Sequence, residues 1–305
     1  MEIRNRSPLT AKNANLPAGR QGRRKVHKVH PAPSTKHHNF NFSLRILLIF
    51  NAVCYYKTGN FAKKHLLMNI ALIGYGRMGH EIESIALKRG HLIKLIVDQY
   101  NEDDLNKSNL VNIDAAFEFS SPDAAFSNIL KCLAEKVPVV SGTTGWLDKY
   151  NDVVKECNRN QTAFIHSSNF SIGVNLLFRL NSELAKLMKR YGNYEASIEE
   201  IHHVKKLDAP SGTAITLAEG IINQNPKYEK WCFENDNSDK CIPIRSVREG
   251  LVPGIHTITW DSEIDTINLK HEAKNRKGLA LGAVVAAEFI YSRKGVFTMN
   301  DVMGF

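Results

Sequence analysis

No two cysteines in this chain are spaced C-x-x-C, and none stands at zinc-ligand spacing from paired histidines. The five, Cys54, Cys132, Cys157, Cys232 and Cys241, therefore read as reduced thiols of a cytoplasmic protein, and no metal site is expected. Membrane-length apolar runs are missing as well. The stretch Ile46–Tyr56 falls short of the roughly twenty apolar residues a bilayer span requires, and it lies too far into the chain for a signal-peptide core. Acids are nearly absent from residues 1–67, which carry 13 Lys or Arg against Glu2 alone. Residues 68–305 hold 27 of the 40 basic residues and 30 of the 31 acidic ones, so the net charge of +9 belongs to the leader. The remainder is slightly acidic and offers no nucleic-acid footprint.

That leader is rich in Arg, His, Asn and Pro and lacks apolar periodicity, so residues 1–67 are not expected to fold alone. A basic tail for membrane or nucleic acid stays open. Met68 directly precedes the first predicted strand, and the expectation is that it is the natural start, with the leader upstream sequence translated in error.

Residues 200–214, EIHHVKKLDAPSGTA, concentrate the possible chemistry. An imidazole titrates near neutrality and can give or take a proton at little cost, and lysine adds a compact cation that can also release a proton when desolvated. The Ala209–Thr213 run predicts a Ser cap and a helix from about Thr213 to Asn223, whose free N–H groups form a site for carboxylate or phosphate. The preceding Tyr194–His203 segment places Ala196, Ile198, Glu200 and His202 on one side of a strand. On that strand His202 and His203 are expected to face opposite ways.

A second motif, NIALIGYGRMG over residues 69–79, has the strand, glycine turn and helix order of a dinucleotide fold. Gly74 makes the tight turn, Gly76 admits a pyrophosphate and Gly79 lets helix and strand pack. The next apolar strand, Leu92–Val97, ends at Asp98, placed to accept hydrogen bonds from a ribose diol and to repel a 2′-phosphate. Gln99 follows where an arginine could have helped a 2′-phosphate, so NADH is expected over NADPH. Strands at Ala115–Phe119, Pro138–Ser141 and Ala163–His166 continue a doubly wound sheet. Their carboxyl ends, including Gly142, Thr143 and Thr144, lie where such sheets bind ligands.

These motifs, with SGTTGW and SSNFSIGVN in the same order, resemble the dihydrodipicolinate reductase family over residues 68–305. The resemblance implies an α/β fold: a Rossmann-type dinucleotide domain (68–170 and 277–305) and a smaller α+β substrate and oligomerisation domain (171–276). The activity it implies is NAD(P)H-dependent reduction of 4-hydroxy-tetrahydrodipicolinate, with loss of water, on the diaminopimelate route to lysine. His202 then matches the acid/base histidine and Lys206 the proton donor, with Lys205 their solvated neighbour; His203 matches a substrate contact, and Gly212 and Thr213 the substrate-carboxylate turn. The cofactor contacts implied are Gly74, Tyr75, Gly76, Arg77, Met78 and Gly79 with Asp98, then Gly142, Thr143 and Thr144, and Ser167, Ser168, Asn169 and Phe170. The glycine loop is one residue tighter than in some members, which also weighs against NADPH.

The substrate domain is expected to carry a mixed or antiparallel sheet with strands at Ala196–His203, Ile242–Arg248, Ile255–Asp261 and Thr266–His271, one face of it free to build a homotetramer. Arg248, His256, His271 and Lys274 could line the substrate side or be structural. The apolar helix Leu279–Tyr291 is expected to pack back on the dinucleotide domain. Two rivals stay open: another two-domain reductase, such as an aspartate or homoserine dehydrogenase, and an NADH-sensing regulator that binds nucleic acid through the leader.

Overall fold

A computed structural model describes residues 67–305 with the exception of 237. The leader, its Ile46–Tyr56 stretch and Cys54 lie outside the described residues. Among those described, no helix is long and apolar enough to cross a membrane.

The chain opens β1(Asn69–Ile73), α1(Arg77–Lys88), β2(Leu92–Val97), β3(Ala115–Glu118), α2(Pro122–Ala134), β4(Val139–Ser141), α3(Tyr150–Arg159) and β5(Ala163–His166). Period-two alternation sends Ile70 and Leu72 to one face of β1, and Ala71 and Ile73 to the other, and all four are buried. Both faces are apolar because both are covered, as parallel sheets require. On one side lie Ile82 and Ala86 of α1; on the other lie Ile129 and Leu133 of α2 with Val153 of α3.

After β5 the chain runs through α4(Ile172–Met188), β6(Glu195–His202), α5(Gly212–Ile222), β7(Lys230–Phe233), β8(Cys241–Arg248), β9(Ile255–Asp261) and β10(Thr266–Glu272). It then returns by α6(Lys277–Ile290) to β11(Gly295–Phe297). The first sheet is parallel throughout, in the order β11-β5-β4-β3-β1-β2. Its strand order reverses between β1 and β3, which opens a crevice at their carboxyl ends. Helix α6 covers the rest of the face on which α1 lies, through Ala280, Ala283, Val284 and Ala287.

The second sheet has the order β10-β9-β6-β8-β7. It is mixed, the first of the two arrangements expected: β9 runs antiparallel to β6 and β10, whereas β8 runs parallel to β6 and to β7. The crossover through α5 brings the chain back to the same end of the sheet before β7, and the connection after β7 does so again before β8. Ile198, Ile244, Ile258 and Trp260 pack on Leu177 of α4 and Leu217 of α5.

The reading of all the cysteines as free thiols needs correction, because Cys232 and Cys241 are joined in a disulfide. Parallel pairing of β7 with β8 brings their Cα atoms to 5.9 Å, inside the bridging range. Cysteine usage therefore gives no argument for the compartment. Cys132 and Cys157 are free and buried.

Candidate active site

Two clefts collect the candidate residues. The first, about 430 Å³, sits over the carboxyl ends of β1, β2 and β3 and is lined by Gly74, Gly76, Asp98, Gln99, Phe119 and Ser121 among others. Gly74 adopts φ +92°, and a Cβ there would lie 2.2 Å from the Phe119 carbonyl oxygen, so only glycine closes this turn. A Cβ on Gly76, by contrast, would meet nothing within 4 Å, which leaves the backbone open on the cleft side. Gly79 stands against the Gly74 carbonyl, where a Cβ would come within 2.6 Å. No side chain caps the first turn of α1 and no acid stands in it, so its N–H groups remain available to an anion.

At the rim, Asp98 accepts the Tyr100 N–H at 2.8 Å while its own N–H donates to Asn101 Oδ1 at 2.7 Å. This turn holds the carboxylate in the cleft wall. Tyr75 lines the same cleft and hydrogen-bonds Glu83 through its hydroxyl. Arg77 is exposed outside the lining, and the Met78 side chain packs into the core on the α1 side of the sheet. An adenine dinucleotide fits these features: a backbone cradle that a Cβ would fill, an uncapped helix start, and a carboxylate at the end of β2.

The loop after β4 is tied down from within. Glu118, fully buried, accepts Ser120 N–H at 3.1 Å, Ser141 Oγ at 2.8 Å and Thr143 Oγ1 at 3.0 Å. The Thr143 hydroxyl is thus bonded within the protein, which leaves the backbone of this loop for a ligand. Gly142 is needed here, since a Cβ would overlap the Phe119 ring at 2.1 Å, and Thr144 is exposed. The role of Glu118 escaped the sequence reading, although an acid ending β3 beside hydroxyls ending β4 was a visible signal.

After β5, Ser167 closes a local turn: its Oγ donates to the Asn169 carbonyl and accepts the Asn169 N–H. Ser168 is exposed and Phe170 is core. The Asn169 side chain turns toward the second cleft, where Nδ2 donates to Thr213 Oγ1 at 3.3 Å.

That second cleft, about 780 Å³, gathers His202, His203, Lys206, Thr213, His256 and Lys274. Strand β6 ends at His202, so His203 already belongs to the turn and both imidazoles line the cleft, against the opposite-face expectation. The cis Ala209–Pro210 bond precedes the Ser211 cap, whose Oγ accepts the Ala214 N–H. The first turn of α5, with Gly212 and Thr213, contains no acid. Lys206 Nζ lies 2.8 Å from Asp208. Lys205 is exposed at the rim.

Behind the cleft, Glu200 is fully buried. Its Oε1 accepts the Ser211 N–H at 3.0 Å and Arg248 Nη2 at 3.1 Å, while Oε2 faces His202 Nδ1 at 3.3 Å. Burial pushes this carboxyl up, and the surrounding Ser211, Ser246 and Arg248 outweigh it and hold the group below the usual range. Burial also drives His202 below its ordinary value, with Glu200 opposing and Lys206 and Arg248 reinforcing the shift. His256 falls to about 4, by burial first and then by neighbouring His202. Arg248 stands behind the wall as a support rather than in the lining. His256 and His271 are cross-strand partners, and a Cβ on Gly173 would meet His271 Nε2 at 2.8 Å. Sequence spacing could not bring these two histidines to His202, because the register of β9 on β6 and β10 does so.

The comparisons agree along the whole described chain. The family model for the dihydrodipicolinate reductase N-terminus matches residues 68–170, and the one for its C-terminus matches 173–303. The 4-hydroxy-tetrahydrodipicolinate reductase of Christiangramia forsetii is 51% identical over 238 residues, covering 77% of this chain and 98% of that protein. The Thermosipho africanus enzyme of the same name is 32% identical over the same shares. A dipicolinate-bound dihydrodipicolinate reductase from Paenisporosarcina sp. TG-14, 24% identical, has the same fold with a TM-score of 0.65 over 76% of this chain and 98% of its own. With both halves matched and a relative at this identity, the chain belongs to the dihydrodipicolinate reductase family.

Proposed function

We infer that this protein reduces 4-hydroxy-tetrahydrodipicolinate to tetrahydrodipicolinate with NAD(P)H, releasing water, as a step toward diaminopimelate and lysine. The observation that carries the reading is the second cleft: His202, His203, Lys206 and the acid-free first turn of α5 converge there, and Asn169 reaches it from the end of the dinucleotide sheet. A cyclic dicarboxylate needs this combination of cations, oriented N–H groups and proton carriers.

A nicotinamide cofactor held over the first cleft would supply the hydride for ring C4 of the substrate, whose 4-hydroxyl is lost as water. The chain does the rest. Gly212 and Thr213, at the start of α5, hold one carboxylate by backbone N–H groups and a hydroxyl, and His203 contacts the substrate beside them. Burial keeps His202 neutral at pH 7, and the arriving dianion favours its imidazolium, so proton uptake accompanies binding. Lys206, freed from Asp208 by a substrate carboxylate, delivers the proton to the carbon next to C4.

Gly74 to Gly79 would hold the pyrophosphate, the loops of Gly142 to Thr144 and Ser167 to Phe170 would serve the nicotinamide end, and Asp98 would select NADH by its charge. We assign the dinucleotide domain to 68–170 and 277–305 and the substrate domain to 171–276, with the outer face of the second sheet joining a homotetramer in the cytoplasm. Incubation with freshly generated 4-hydroxy-tetrahydrodipicolinate and each cofactor, followed by nicotinamide absorbance, tests the assignment. Oxidation of neither cofactor refutes it.

A further inference from the structure

Of the groups around the second cleft, Glu200 has a place that the proton and anion steps leave unexplained. It is a carboxylate with no exposure, on the same face of β6 as His202, two residues earlier. Its two oxygens serve two different parts of the site. Oε1 accepts the backbone N–H of Ser211, the cap of α5, at 3.0 Å, and Arg248 Nη2 at 3.1 Å. Oε2 is buried and lies 3.3 Å from His202 Nδ1, itself buried, and 3.8 Å from His256 Nε2 on the neighbouring strand. His202 Nε2 lies beside Gly254, whose missing side chain leaves room for the ring: a Cβ there would stand 3.1 Å from that nitrogen.

We propose that Glu200 is a positioning residue for the reductase, one carboxylate that aims His202 by its Nδ1 and anchors the anion-binding turn of α5 by the Ser211 N–H. The inference rests on the proposed reaction at this cleft. Glu200 touches neither substrate nor cofactor; it acts through the two groups that do. A neighbouring carboxylate fixes which imidazole nitrogen carries the proton and favours the charged ring. The other charged or titratable groups facing His202 are Lys206 and Asp208 from the loop after β6, Arg248 from β8, and His256 from β9, with His271 of β10 behind it. Glu200, His202 and His256 also bring one ligand atom each within 4.8 Å of the others, a spacing that a divalent cation accepts. Arg248 already neutralises the carboxylate from Oε1, so this corner is built for orientation rather than for a cation.

The test compares Glu200→Gln and Glu200→Ala with the wild-type chain, using turnover against pH, dipicolinate affinity by calorimetry, NADH affinity and thermal melting. Glutamine keeps an acceptor for Ser211 and removes the charge. It should leave dipicolinate and NADH affinity within a few-fold, lower kcat by roughly 10- to 100-fold, as orienting partners of catalytic groups do, and move the pH limb of His202 to lower pH. Alanine should lose dipicolinate affinity as well. Glu200→Asp, which keeps the charge on a shorter arm, carries the test if Glu200→Gln does not fold: kcat falls while the limb stays in place. A Glu200→Gln variant with the wild-type limb and turnover would overturn the proposal, as would loss of wild-type activity on metal chelation, which would make the cluster a metal site. Wild-type inactivity without chelation sinks the reaction itself and is distinguishable from either.

Discussion

Gly282, in the middle of α6, is where fold and site constrain each other most tightly. A Cβ built there would stand 1.7 Å from the Phe170 carbonyl oxygen, where real Cβ atoms essentially never come within 3.0 Å. In an exposed helix Gly→Ala stabilises by about 0.8–1 kcal/mol through helix propensity. Here helix or loop must move by more than an ångström, and overpacking of that kind costs about 1–3 kcal/mol. The steric term wins, and Gly282→Ala is expected to destabilise by about 1–2 kcal/mol. For a folded part of this size that is a fall in Tm of about 2–8 °C. Because the displaced carbonyl follows Asn169 directly, the Asn169–Thr213 bond shifts too and KM for the substrate rises. Gly278→Ala in the same helix is the control, since its Cβ would make an ordinary 3.5 Å contact with Ser171 Oγ. Differential scanning calorimetry on both variants decides the matter: Gly282→Ala as stable as Gly278→Ala would refute the reasoning.

His202→Gln and Lys206→Met should leave NADH affinity unchanged and lower kcat by about 100-fold or more in steady-state assays, the range for lost proton transfer. Asp98→Ala should weaken NADH and improve NADPH use, read as the ratio of kcat/KM for the two cofactors. Glu288 is bound by Arg89 and His91, and although burial raises its carboxyl, these partners outweigh it and lower the folded value. Its contribution to stability is therefore present above the unfolded pKa of about 4.5 and lost as pH falls through the lower folded value. Glu288→Gln should melt lower than wild type at pH 7 and close the gap at acid pH, as followed by circular dichroism.

The long, regular part of the fold was legible from apolar runs: β2 and β5 begin and end where the pattern places them, and the α5 start follows from its Ser cap. β7 and β11, of four and three residues, are too short to leave a period. The mixed order of the second sheet depends on a crossover that no local pattern records. At the site, the His-His-Lys cluster announced itself because its residues are adjacent. Glu118 did not, since only strand register brings Ser141 to it, and His256, legible as a candidate, could not be placed beside Glu200 without the register of β9 on β6. Glu200 was visible on the buried face of its strand, but an acid among apolar neighbours does not name its partners.

The return of the chain to its first sheet sets the order of events during synthesis. β11 pairs with β5 across more than a hundred intervening residues, and α6 closes the core over Leu72 and Phe117. When the ribosome has made both cofactor loops and the whole second sheet, that core still lacks its lid. The nascent cofactor half thus waits with apolar surface uncovered until the last helix emerges. Premature termination before Lys277 would leave every residue of the His202–Lys206 cluster in the chain and none of the cover that lets the first sheet hold its shape.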